Sequence, residues 1–142
     1  MTFNDHLKKG LERAREARLV NARIDDVLQR FVEEVRGDVS LDRQPGRRTD
    51  RPGVPSFDPG RRIIPSWSIL TDEFFLRGGT ASPRELVCVV SRSNSGFPVE
   101  LAYADQTVWC ESEADLEEAL GEMLEHPRVA TMLFPQQVAA NG

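Results

Sequence analysis

The chain has 142 residues, of which 39% are hydrophobic and 29% charged, and its formal net charge is −5. This length is typical of one domain, and the slightly polar balance indicates a modest core that carries extended or solvated parts. The longest uninterrupted apolar run, residues 86–90, is far too short to span a membrane, and the N-terminus lacks the apolar core of a secretory signal. Two cysteines are too few for a disulfide framework, so we expect reduced, buried thiols in a cytoplasmic protein, with a single bridge as the alternative.

The charge is unevenly distributed along the chain. Residues 1–62 carry 14 Lys and Arg against 11 Asp and Glu, whereas residues 63–142 carry 4 against 12. An acidic second half argues against general nucleic-acid binding by the core and leaves such a role open for the first half.

Residues 1–38 are predicted to form a long amphipathic helix. Thr2 and Asp5 resemble a capping box, and Gly37 is the expected C-cap. Unbroken, this helix would be a rod of ~50 Å that overhangs a domain of this size. The alternative is a break near Asn21 that folds it into an antiparallel pair. Apolar residues recur along it at steps of three and four, at Phe3, Leu7, Leu11, Ala14, Ala17, Val20, Ile24, Leu28, Phe31 and Val35.

This narrow apolar stripe fits a coiled-coil seam better than a broad core face, although Ala14 and Ala17 interrupt strict heptads. We therefore expect the protein to be a homodimer that pairs through this helix. The alternative is a helix that packs on its own sheet. The residues expected to carry self-association are Leu7, Leu11, Val20, Ile24, Leu28, Phe31 and Val35.

Residues 39–62 are predicted to be a flexible basic arm. Residues 43–62 contain four prolines and three glycines, a composition that disfavours helix and central strand. Within the Arg43–Arg62 arm, arginine forks suit phosphate groups of nucleic acid or an acidic partner. The alternatives are a solvated linker or an arm that folds back on the acidic half. The candidate binding residues are Arg47, Arg48, Arg51, Arg61 and Arg62.

Residues 63–136 are predicted to form a compact domain, which gives the chain an α+β class. Short apolar segments suggest an antiparallel meander of three or four strands, with a strand near 67–70 at its edge and the strand at 85–91 in its centre. Ser112 begins a helix, and Pro127 is the expected first residue of a second short helix, although a strand at 128–134 is the alternative. Residues 137–142 are expected to fray.

No residue pattern indicates a catalytic or cofactor site. His6 and His126 lie at opposite ends of the chain, and the cysteines lack the paired spacing of a zinc site. Residues 77–80, Arg-Gly-Gly-Thr, lack the lysine of a phosphate-binding P-loop and are better interpreted as a turn. We therefore expect no cofactor and no metal, and the residual enzyme hypothesis is a dispersed site that uses Cys88, Cys110 or His126.

These features predict a non-enzymatic protein-interaction module. In this hypothesis it is a homodimeric accessory protein of bacterial or phage type, such as a regulator, adaptor, immunity protein or inhibitor. Its partners would be a second copy of itself and an unidentified protein, with nucleic acid at the arm as the alternative and no membrane. The acidic face of the helix at 113–125 would dock the protein partner through Glu117, Glu118, Glu122 and Glu125.

Overall fold

The computed structural model describes residues 2–36, 38–49, 68–77, 85–93 and 95–140. A long helix precedes a five-stranded antiparallel sheet with strand order β1-β2-β3-β4-β5, and three short helices follow it. The predicted α+β class is confirmed, with five strands where three or four were expected. The elements are α1 (Phe3–Glu34), β1 (Ser40–Thr49), β2 (Ser68–Arg77), β3 (Leu86–Ser93), β4 (Gly96–Tyr103), β5 (Gln106–Cys110), α2 (Glu113–Glu125), α3 (Pro127–Leu133) and α4 (Pro135–Ala140).

Helix α1 is one unbroken helix of 32 residues, so it is ~48 Å long and does not fold back near Asn21. The predicted capping box is present: the Thr2 hydroxyl accepts from the Asp5 N–H at 3.3 Å, and the Asp5 carboxylate accepts from the Thr2 N–H at 2.9 Å. The helix ends at Glu34 with Val35 as its C-cap, and Gly37 lies outside the described residues.

One face of the sheet forms the core. Phe74, Val90 and Leu101 from the three central strands are fully buried on this face. The C-terminal half of α1 and helix α2 cover them, and the Phe31 ring meets the Phe74 ring edge-on with centroids 5.9 Å apart. The alternating apolar residues of β4 point inward as predicted, with Val99, Leu101 and Tyr103 all buried.

The predicted flexible arm is wrong over its first part, because residues 40–49 form strand β1. This strand pairs with β2 along its whole length, from Ser40 opposite Arg77 to Thr49 opposite Ser68. Among the described strands it lies at the edge of the sheet, where a residue such as Pro45 is tolerated. Residues 50–62 lie outside the described residues.

The C-terminal segment is helical. Pro127 begins α3 as predicted, so the alternative of a strand at 128–134 is wrong. The prediction of a frayed end from residue 137 is also wrong up to Ala140, because α4 extends to that residue. The carboxylate of Asp38 accepts hydrogen bonds from the backbone N–H groups of Gln136 at 2.9 Å and Gln137 at 3.2 Å, which ties the start of α4 to the segment between α1 and β1. In the described part of the chain, no helix combines the length and apolarity needed to cross a membrane.

Candidate interaction surfaces

Helix α1 is anchored to the sheet by its C-terminal half. Ile24 and Leu28 are fully buried in the chain's own core, and Phe31 is nearly so. Val20 and Val35 are partly buried against the same core. The predicted self-association seam is therefore corrected: these five residues pack within their own chain, as in the alternative of a helix packed on its own sheet, because the sheet and helix α2 offer them an apolar core.

Four charged side chains fix this half of the helix to the sheet. Asp25 of α1 accepts from the Arg43 Nη2 at 2.7 Å and from the Arg92 Nη2 at 2.5 Å. Asp72 of β2 accepts from the Arg43 Nε at 2.8 Å and lies 3.8 Å from the Arg92 Nη2. Arg92 also donates to the backbone carbonyl of Asn21 at 3.2 Å. We call Asp25, Arg43, Asp72 and Arg92 the charged quartet.

The charged quartet balances two positive and two negative charges in a largely buried place. The side chains of Asp72 and Arg92 are 2% and 6% exposed, whereas that of Asp25 is 48% exposed. Partial burial alone would raise the pKa of Asp25, but the hydrogen bonds from Arg92 and Arg43 outweigh it and lower this pKa. Arg43 was predicted to belong to a phosphate-binding arm; the structure instead uses its guanidinium inside the fold.

The N-terminal half of α1 extends away from this anchor, and every residue from Thr2 to Glu16 is exposed. Three large apolar side chains lie along it at intervals of four: Phe3 is 89% exposed, Leu7 70% and Leu11 52%. We call these three residues the protruding stripe. At 100° per residue, they fall within an arc of about 80° on one side of the helix.

The acidic residues of the protruding half lie away from the protruding stripe. By the same helical geometry, Asp5, Glu12 and Glu16 fall on the side of the helix opposite the stripe. The basic residues nearest the stripe are Lys8, Arg15 and Arg18. The protruding half of α1 therefore presents an apolar ridge with positive charge beside it.

A second apolar surface lies between the C-terminal half of α1 and helices α2 and α3. It is an open groove of about 590 Å³, which we call the α1–α2 groove. Charged side chains at its margin include Arg30 and Glu117, which form an ion pair across it. The hydrogen bond that Arg30 donates to the Glu117 carboxylate raises the pKa of Arg30 above its ordinary value. Its apolar lining consists of Val27, Phe31, Val35, Leu120, Leu124, Leu133 and Phe134.

The predicted docking residues of α2 are all on the surface. Glu117, Glu118, Glu122 and Glu125 are exposed, and Glu117 is the one that lines the α1–α2 groove. Helix α2 has six acidic residues and no basic residue between Glu113 and Glu125. Its outer face is thus uniformly negative.

The other predicted binding residues are not brought together by the described structure. Arg47 and Arg48 belong to strand β1, where only their backbone is described, and Arg51, Arg61 and Arg62 lie outside the described residues. Residues 78–80 of the predicted turn also lie outside them.

The thiols of the enzyme hypothesis lie in the core, and its histidine lies at the start of α3. Cys88 and Cys110 are free and buried, and burial raises their pKa values to about 12 and about 11, so both remain neutral at physiological pH. His126 accepts at Nδ1 from the Arg128 N–H at 3.2 Å, which caps α3, and its ring packs edge-on against Tyr103. Within the described ranges, no cluster of three His, Cys, Asp or Glu side chains is arranged to bind a metal.

Sequence reasoning missed both the charged quartet and the α1–α2 groove. A signal for the quartet was present, since Arg92 follows Val90 and Asp72 precedes Phe74 at the inward-facing positions of their strands. The groove joins residues that are about ninety positions apart, such as Val27 and Leu120, so local periodicity could not reveal it.

Comparison of the chain with protein-family models, with curated proteins and with solved structures gave no match.

Proposed function

We propose that this protein is a non-enzymatic interaction module that self-associates through the N-terminal half of α1 and presents an acidic surface on α2 to a protein partner. The observation that carries the proposal is the protruding stripe. Phe3, Leu7 and Leu11 are aligned on one side of a helix that is rigidly joined to the fold, and all three are more than half exposed.

Exposure of this kind is costly unless it serves an interaction. Single apolar residues on a surface are ordinary, but three aligned ones on a projecting helix form the pattern by which an amphipathic helix docks. Full burial of one leucine or phenylalanine side chain contributes about 1.5–3 kcal/mol, so burial of the protruding stripe of each chain would supply a driving force for association.

The remaining chemistry favours the same proposal over an enzyme. Cys88 and Cys110 are held as buried neutral thiols, which are poor nucleophiles. His126 is engaged at the start of α3. The acidic residues of α2 are exposed to water, and a row of exposed negative charges suits the docking of a partner.

The test compares two double variants with the same new side chain on opposite sides of the protruding helix. Leu7→Gln with Leu11→Gln removes the apolar ridge, whereas Glu12→Gln with Glu16→Gln alters the opposite side. All four residues are exposed, so neither double variant should disturb the fold. Sedimentation velocity over a micromolar to submillimolar series should show a dimer for the wild type and the glutamate variant, and a monomer for the leucine variant.

The far-UV circular dichroism of both variants provides the control for helix content. A wild-type chain that sediments as a monomer throughout the series would contradict self-association. Equal dimerisation of the leucine variant would remove the protruding stripe as its cause.

A further inference from the structure

We propose that two copies of this chain pair by crossing their protruding helices at Leu7, so that the protruding stripe of each copy lies in a shallow groove above Gly10 and Ala14 of the other. This inference rests on the proposed self-association and specifies its geometry. The observation that suggests it is a glycine in the middle of an exposed helix, directly beside three exposed apolar side chains.

Gly10 has no explanation within its own chain. It lies well inside the unbroken helix α1, without the positive φ that favours glycine. Glycine is the least favoured residue in a helix interior apart from proline. A Cβ atom added to Gly10 would meet no atom of the described residues within 4 Å. The described fold thus gives no steric reason for a glycine here, whereas the close approach of a second helix gives one.

The protruding stripe and its neighbouring row of residues form a ridge and a groove. The three residues of the stripe are each four positions apart, so they make one continuous ridge on the helix surface. The next row consists of His6, Gly10 and Ala14, and all three are exposed. Because Gly10 and Ala14 are small, a groove runs beside the ridge. Each helix therefore offers both halves of the contact, as a twofold dimer requires.

This spacing favours crossed helices over a coiled coil. Two helices that interlock by ridges of residues four apart cross at about −50°. A coiled coil needs alternating steps of three and four, whereas the stripe has only steps of four. Arg18 lies on the same side as the stripe, ~16 Å along the helix from Leu7. Parallel helices side by side would bring the two Arg18 side chains together, but crossed axes have diverged at that distance.

The fold leaves this side of the helix open to a second copy. The four buried residues of α1 face a direction about 110° around the helix axis from the stripe. The sheet therefore lies to the side of the crossing rather than in front of it. A crossing joins only about three turns of each helix, which is less than the ~800 Å² per partner of a standard interface. We therefore expect a weak dimer, visible in the upper part of the concentration series.

Gly10→Gln tests the crossing by filling the groove with a side chain that favours helix more than glycine does. This variant should weaken the dimer by about tenfold or more, as overpacking of a close contact does, while far-UV circular dichroism shows at least the helix content of the wild type. Gly121→Gln is the matched control. Gly121 is also an exposed helical glycine whose added Cβ would meet no described atom within 4 Å, so its replacement should leave the dimer unchanged.

Sedimentation of these two variants separates the crossing from self-association itself. If Gly10→Gln dimerises as tightly as the wild type while Leu7→Gln with Leu11→Gln does not, the helices do not approach each other at Gly10. The crossing is then overturned although self-association stands. A wild type that remains a monomer throughout the series would overturn both.

A second test uses a new cysteine at position 7 or at position 18, with oxidised glutathione as the oxidant. A disulfide needs the two Cα atoms within about 7 Å of each other, so Leu7→Cys should link two chains and Arg18→Cys should not. The native thiols are buried and neutral and should not compete. Equal linking of the two variants would mean helices side by side and would overturn the crossing, as would a Leu7→Cys dimer that does not link.

Discussion

Asp72→Asn should strongly destabilise the fold, because Asp72 is a buried charge. Asparagine keeps the size of the side chain but removes the negative charge that faces Arg43 at 2.8 Å and Arg92 at 3.8 Å. Asp72 and Arg92 are both almost completely buried, so water cannot replace the lost charge. Removal of one partner from a buried ion pair costs about 3–5 kcal/mol, which is a large part of the stability of a typical domain.

Two further variants provide a comparison for this loss of stability. Asp25→Asn removes two charged hydrogen bonds, but its side chain is 48% exposed, so we expect a smaller loss of about 1–2 kcal/mol. Asp105→Asn should change stability by less than about 0.5 kcal/mol, because its 3.9 Å contact with Arg128 lies in water and its side chain is 99% exposed. The expected order of the losses is therefore Asp72, then Asp25, then Asp105.

Urea unfolding followed by circular dichroism measures the three losses under conditions where the chain is monomeric. Low concentration matters because association would add its own stabilisation to the folded state. A loss for Asp72→Asn no larger than that for Asp105→Asn would refute the reasoning, since it would mean that the charged quartet does not hold α1 to the sheet.

The charged quartet also makes the stability of the fold depend on pH in acidic solution. Two arginines lower the pKa of Asp25 below its unfolded value of about 3.9. A lowered pKa in the folded state means that the unfolded chain binds its proton first. The stabilisation is thus complete above pH ~4 and is lost as the pH falls through the folded pKa. The acid unfolding of Asp25→Asn should show a weaker dependence on pH in this range than that of the wild type.

Two further predictions concern the packing of α1 and the buried thiols. Gly96→Ala should destabilise the fold by about 1–3 kcal/mol, because Gly96 has φ of 98° and an added Cβ would lie 2.4 Å from the Val20 Cγ1. Adding Val20→Ala should restore part of this loss of stability, as measured by urea unfolding. No restoration would contradict the contact between residues 20 and 96. Cys88 and Cys110, buried with pKa values of about 12 and about 11, should react with a thiol reagent at pH 8 only as fast as the chain unfolds, and rapid labelling of the native protein would refute their burial.

The parts of the fold that sequence could predict follow local rules. The capping box at Thr2, the central strand β3 and the start of α3 at Pro127 each depend on residues within a few positions of one another. Alternation of apolar residues likewise identified the inward face of β4. Such features are determined before distant parts of the chain meet, and this is why they were correct.

The parts that sequence missed depend on distant pairing. Composition alone made residues 39–49 look like an arm, yet β1 forms because β2 offers a partner for every one of its residues. Arg43 became part of this strand because Asp72, which is 29 positions away, accepts its hydrogen bond. Polar and proline-rich segments can thus be ordered by an edge position and one well-placed counter-charge, neither of which has a local signature.

The long apolar stripe of α1 was also ambiguous for a physical reason. The same spacing of apolar residues suits a core face and a coiled-coil seam, because both bury one side of a helix. The structure divides the stripe: Ile24 and Leu28 lie in the core, whereas Leu7 and Leu11 remain in water. The sequence could therefore predict which residues of α1 form its apolar side. It could not predict which of them lie in the core and which are exposed.

This division has a consequence for association. An isolated helix of about 14 residues, the length of the exposed half, is only marginally stable in water. Here the helix continues from the anchored half, which the charged quartet attaches to the sheet. The capping box of Thr2 and Asp5 stabilises its N-terminal end. The protruding stripe is thus already helical in the folded chain, so binding does not have to offset the entropy lost when this segment becomes ordered. Loosening the anchor at Asp72 should therefore weaken self-association as well as the fold, although Asp72 touches neither proposed binding surface.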